Sequence, residues 1–144
     1  MEPLGPVVTA VGEGEPVPMG GASFVLRAHA AYTGGAYTLL ESSHMDVGDG
    51  PGLHVHSRED ETFIVLDGSY RFVVGEQVLI GEPGTVAFCP RGISHRFEVA
   101  STGSRLLHLF TPGGMDDYFR RNYQALQTRQ LDELADEFGV RFLD

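Results

Sequence analysis

The chain has 144 residues, enough for one domain with a buried core and too few for two independent ones. Acids outnumber bases twenty to ten, and a net charge of −10 excludes the clustered Lys and Arg that a nucleic-acid binder or an anionic-membrane binder needs. Nineteen glycines and eight prolines fall between short runs of Val, Phe, Leu and Thr, which points to an all-β chain with tight turns.

In chain order, residues 1–20 read as an irregular arm able to cross the body or a neighbour. The arm has four prolines and two Gly-Glu pairs but no basic or apolar leader, so a cytoplasmic protein is expected. Residues 21–112 hold nine strand-like runs: 24–28, 36–45, 52–56, 62–66, 69–74, 77–80, 85–88, 94–99 and 104–110. So many short strands predict a sandwich or a barrel. Residues 113–144 change period: Phe119, Tyr123 and Leu126, then Leu131, Leu134 and Phe138, lie at helical spacing. Two helices covering the barrel surface are predicted. Asp116 and Asp117 sit in the first turn of the earlier one, Gly139 stops the later one, and residues 140–143 add a last strand. Cys89, the single cysteine, reads as a buried inert thiol.

The chemistry concentrates in two stretches. His54 and His56 are two apart, so a strand points both imidazoles to one face, where a single metal can bridge them. After the turn Ser57-Arg58-Glu59-Asp60, a hairpin returns Glu61 beside the pair. On chemistry alone Glu59 and Asp60 compete with Glu61, but both belong to the turn and are expected in solvent. The second stretch reverses at Pro90-Arg91-Gly92, after which His95, Phe97 and Val99 share a face that points inward if Phe97 is core. His29, His44 and His108 read as surface or structural residues; of these His44 is the best further candidate, since its strand passes near the site.

These stretches resemble the two sequence motifs of the cupin superfamily. The first runs from Gly48 through His54-Val55-His56 and Glu61 to Gly68, and the second from Gly84 through Pro90 and Gly92 to His95. Val99 departs from the pattern, standing where the family commonly has a structural Asn. The resemblance implies a single-domain cupin, a jelly-roll barrel with short C-terminal helices, and assigns His54, His56, Glu61 and His95 as ligands of one divalent ion. Three imidazoles and a carboxylate suit Fe, Mn, Ni, Co or Zn, and the absence of thiolates argues against a closed structural zinc site.

Further features are similar to small bacterial cupins of the quercetin dioxygenase-like group: Gly34-Gly35-Ala36-Tyr37, the HSREDE turn, Thr111-Pro112-Gly113-Gly114 and Phe138-Gly139-Val140. That resemblance implies a dioxygenase using O2 on a small aromatic substrate (a flavonol, phenol or polyketide), with Glu61 as the catalytic base. It also implies a homodimer. By strand alternation Phe63, Val65, Phe72, Phe88 and Phe97 are candidates to line the substrate pocket. The same ligand set serves a non-oxidative polyketide cyclase or isomerase, and a binding protein without turnover is the third alternative.

Overall fold

The computed structural model describes residues 4–143, so the first three residues of the predicted arm and the last residue of the chain lie outside the description. Its described residues form eleven strands and three helices: β1 (Glu15–Val17), β2 (Ser23–Ala28), α1 (Ala30–Thr33), β3 (Thr38–Ser43), β4 (His54–His56), β5 (Asp60–Asp67), β6 (Tyr70–Val74), β7 (Gln77–Gly81), β8 (Val86–Cys89), β9 (His95–Val99), β10 (Arg105–Thr111), α2 (Asp116–Gln127), α3 (Leu131–Glu137) and β11 (Val140–Phe142). The nine predicted runs are all strands. Two elements were not foreseen: β1, formed inside the arm, and the single turn α1.

The strands make two antiparallel sheets, one in the order β1-β2-β3-β10-β5-β8 and the other β11-β4-β9-β6-β7. Alternation builds the interior. Glu61, Phe63 and Val65 of β5 point inward with Leu106, His108 and Phe110 of β10, while the second sheet contributes His95, Phe97 and Val99 of β9 and Tyr70 and Phe72 of β6. On the outside, Glu41 of β3 is gripped by Arg27 at 2.8 Å and Arg105 at 3.1 Å, which ties β2, β3 and β10 together. Two glycines are required by close approach: a Cβ on Gly50 would run into the Phe97 carbonyl oxygen, and one on Gly68, which ends the first motif, would run into Ser104 Oγ.

The apolar interior divides in two. One part packs Phe63, Tyr70, Phe72, Phe97 and Leu106 between the sheets. The other joins Leu26, Leu40 and Phe110 to Tyr118, Phe119, Leu134 and Val140, so the helices close one side of the barrel as the periodicity predicted. Asp116 does more than complement the positive end of α2: its carboxylate accepts the Thr38 hydroxyl and, at 2.8 Å, the Ala30 N–H, locking α2 to β3 and α1. β11 pairs with β4 in the register Val140↔His56 and Phe142↔His54, so the C-terminal strand lies directly behind the histidine pair. Among the described residues no helix is long and apolar enough to cross a membrane.

Candidate metal centre

β4 is three residues long, and both of its ends face the interior: His54 is 8% exposed and His56 3%. His95 stands opposite His54 in the β4–β9 register, and Glu61 heads β5 after the turn. Each of the four offers one ligand atom, and these atoms lie within 4.8 Å of one another. The four residues singled out in the sequence therefore converge on one point.

Hydrogen bonds orient the rings for a metal. His54 Nδ1 donates to the Gly52 carbonyl at 2.8 Å and His95 Nδ1 to the Ile93 carbonyl at 3.2 Å. Both rings are thereby turned so that Nε2 faces the centre. His95 Nε2 lies 2.9 Å from Glu61 Oε1, and His56 Nε2 lies 3.4 Å from the same oxygen. In the metal-free protein a proton lies between such a nitrogen and the carboxylate oxygen, and three imidazoles with one carboxylate are a donor set that fits a divalent ion in its place.

The electrostatics agree. Burial is the main cause that holds the His54 imidazole neutral, with neighbouring His95 adding to it, and its pKa falls to about 4. His56 goes the other way. Burial opposes its charge, but the carboxylates of Glu59 and Glu61 outweigh that and push it up to about 9. Glu61 is held well below the usual carboxylate range: burial favours its neutral form, and His108, His56 and His95 overcome it. A buried carboxylate anion beside an imidazole that takes up a proton is an arrangement in which a divalent ion could take the place of that proton.

One residue corrects the expectations, and the further histidines fall within the surface or structural reading. Glu59, expected in solvent with the turn, is 5% exposed and stands 3.7 Å from His56 Nδ1; neither its Oε1 nor that nitrogen has a hydrogen-bond partner. Asp60 does reach the surface, paired to Arg91 at 3.2 Å. His44, the preferred further histidine, is exposed beyond the end of β3, in a left-handed turn with φ 57°. His108, placed with the surface or structural residues, is 2% exposed and donates from Nδ1 to Glu61 Oε2 at 3.1 Å. The alternation Leu106, His108, Phe110 carried that signal.

A cavity of about 400 Å³ opens over the centre. His54, His56, Glu61 and His108 form its polar end, while Phe24, Leu40, Phe110, Phe119, Leu131 and Phe142 supply much of an apolar wall. Phe63 and Phe97, predicted as lining, are there. Phe72 is fully buried in the inter-sheet core, as is Val65, and neither lines the cavity. Phe88 is 58% exposed, because Cys89 pairs with Glu61 and Ala87 with Phe63, which places those two inward and Phe88 on the outer face. Cys89 is buried, its thiol pushed up to about 12 by burial first and then by Glu61.

A model of the cupin domain family matches residues 42–110. An uncharacterized protein of Streptomyces coelicolor is 30% identical over 97 residues, spanning 60% of this chain and 90% of that protein. Among solved structures, KdgF from a Halomonas species superposes with a TM-score of 0.67 at 19% identity, covering 77% of this chain and 99% of that one. A predicted oxalate decarboxylase from Thermotoga maritima gives a TM-score of 0.62 at 20% identity, covering 74% and 99%. At these identities the structural likenesses speak for the fold.

Proposed function

The chain belongs to the cupin superfamily, and from that premise we propose that it is a metal-dependent dioxygenase, similar to quercetinases, acting on a flavonol, phenolic or polyketide-type aromatic substrate. The observation that carries this reading is the cavity: an aromatic-rich chamber whose titratable lining residues, His54, His56, Glu61 and His108, belong to or adjoin the cluster of His54, His56, Glu61 and His95. Its volume of about 400 Å³ lies toward the small end of the range for ligand sites, roughly 300–1,000 Å³. A substrate carrying adjacent oxygens on an aromatic ring would place the oxygens at the polar end and the rings among Phe63, Phe97, Phe110 and Phe119.

A bound divalent ion would supply a Lewis-acid centre with positions open to substrate oxygens and dioxygen. The side chains do the rest. Glu61 is kept ionised and aimed into the cavity, so it can accept the proton of a substrate hydroxyl. The apolar wall excludes water from the resulting anion, and α2 and α3 cover the ring end through Tyr118, Phe119 and Leu131. The exposed Val8 and Val11 of the N-terminal segment and the exposed Ile80, Val86 and Phe88 on edge strands support a homodimer.

The test is oxygen uptake and anaerobic turnover by protein reconstituted separately with Fe(II), Mn(II), Co(II), Ni(II) and Zn(II), against flavonols and hydroxylated aromatic polyketides. Substrate-dependent uptake with a redox-active ion is expected. Turnover that persists without oxygen and with zinc would replace this reading by a non-oxidative cyclase or isomerase. Tight ligand binding without product would leave a binding protein.

A further inference from the structure

We propose that His108, held by Ser42, is a positioning residue that makes Glu61 a one-oxygen ligand. This rests on the reading of His54, His56, Glu61 and His95 as a metal centre.

The two oxygens of Glu61 are already assigned to different neighbours. Oε1 faces the imidazoles, 2.9 Å from His95 Nε2 and 3.4 Å from His56 Nε2, while Oε2 accepts a hydrogen bond from His108 Nδ1 at 3.1 Å. An ionised carboxylate has no proton to give, so Nδ1 of His108 carries the hydrogen. The other ring nitrogen, Nε2, lies 2.8 Å from Ser42 Oγ, and in the neutral ring it accepts the hydroxyl proton. Neither nitrogen of His108 is left free to bind a metal, which separates this histidine from the three that face the centre.

The chain from Ser42 to His108 to Glu61 is built into rigid elements. Ser42 is fully buried on β3 and His108 is 2% exposed on β10, and their strands are paired in the register Ser42↔Leu106 and His108↔Leu40. Phe63 and Phe97 stand edge-on to the imidazole, with ring centroids at 5.3 and 5.0 Å. Turning the ring over would bring carbon against both polar partners. Swinging Glu61 to offer both oxygens to a metal would leave the buried Nδ1–H unpartnered. His108 therefore holds Oε2 back, presents Oε1 alone, and keeps a coordination position clear for substrate. Partners of this kind are worth about 10–100-fold in metal affinity.

The experiment uses Co(II) as probe on the full chain, measuring its dissociation constant by chelator competition and its visible absorption per bound ion. Native protein is expected to bind one Co(II). His108→Phe should bind one Co(II) about 10–100-fold more weakly, with a weaker visible band as Glu61 turns to two-oxygen coordination. His108→Asn, whose amide nitrogen can replace Nδ1, should restore most of both signals. Ser42→Ala keeps the ring and should show a smaller change in the same direction. A folded His108→Phe with native affinity and the native band overturns the proposal; if that variant does not fold, a Ser42→Ala protein indistinguishable from native does so. Native protein that takes up no Co(II) fails differently, removing the metal reading and His108's role with it.

Discussion

Glu59→Gln is the substitution whose outcome the site determines most closely. The Glu59 carboxylate lies 3.7 Å from His56 Nδ1, and both groups are buried. At an effective dielectric constant of about 20, unit charges at that distance attract by about 4.5 kcal/mol. Raising His56 from 6.5 to about 9 corresponds to about 3.4 kcal/mol, so the attraction is large enough to carry the shift against burial, with Glu61 sharing the work. Glutamine removes the charge, and His56 should then titrate below 9. Two effects on metal binding follow. Loss of the anionic partner weakens the ligand by about 10–100-fold. The lower pKa also relieves proton competition, which at pH 7 costs about 100-fold for a group titrating near 9 and less for one titrating lower. Near pH 7 the two effects oppose each other, whereas at pH 9.5 only the loss remains. Zn(II) affinity of native and Glu59→Gln protein, measured by chelator competition at both pH values, should therefore diverge as pH rises. NMR titration of the metal-free proteins reports His56 directly. An affinity ratio that does not change with pH, or an unmoved His56 pKa, would refute the reasoning.

The metal-free protein should be most stable near pH 6.5. The contribution of His56, whose pKa is raised, is complete below 6.5 and is lost as pH climbs through about 9; that of His54, whose pKa is lowered, is present above 6.5 and is lost as pH falls toward about 4. Each slope approaches about 1.4 kcal/mol per pH unit, and urea unfolding of EDTA-treated protein at pH 5, 6.5 and 8.5 measures both. Tyr70→Phe should stabilise the fold by about 1–2 kcal/mol in the same assay, because the Tyr70 hydroxyl is buried with no hydrogen-bond partner. Phe63→Ala should cost about 3–5 kcal/mol, since Phe63 is 1% exposed against Phe72 and Phe97, whereas Phe88→Ala on the outer face should stay within about 0.5 kcal/mol.

Strand alternation and motif spacing were enough to single out the four residues that the fold brings together as a candidate metal site. His54 and His56 share a face at a spacing of two, and Pro90-Arg91-Gly92 turns the chain so that His95 meets them. The same rule misplaced Phe88, because alternation gives two faces without saying which is inward; the β5–β8 register decides that by pairing Cys89 with Glu61. Glu59 was assigned to solvent as a turn residue, and only the folded hairpin brings its carboxylate behind His56. His108 is separated by 47 residues from Glu61, so its role depends on the pairing of β10 with β5. The single turn α1 shows no period in four residues, and β1 is too short to stand out among its glycines and prolines. The helical cover was legible because Phe119 and Tyr123, and then Leu131, Leu134 and Phe138, repeat at a helix's period, though the link from Asp116 to Thr38 and Ala30 spans most of the chain.

The central claim, that His54, His56, Glu61 and His95 hold one divalent ion, is tested most directly by counting metal. Protein saturated with Zn(II) or Co(II) and freed of excess should carry one ion per chain, His54→Ala and His95→Ala should lose it, and His108→Ala should still reach one ion at saturation. Folded His54→Ala and His95→Ala proteins that retain a full equivalent would contradict the account.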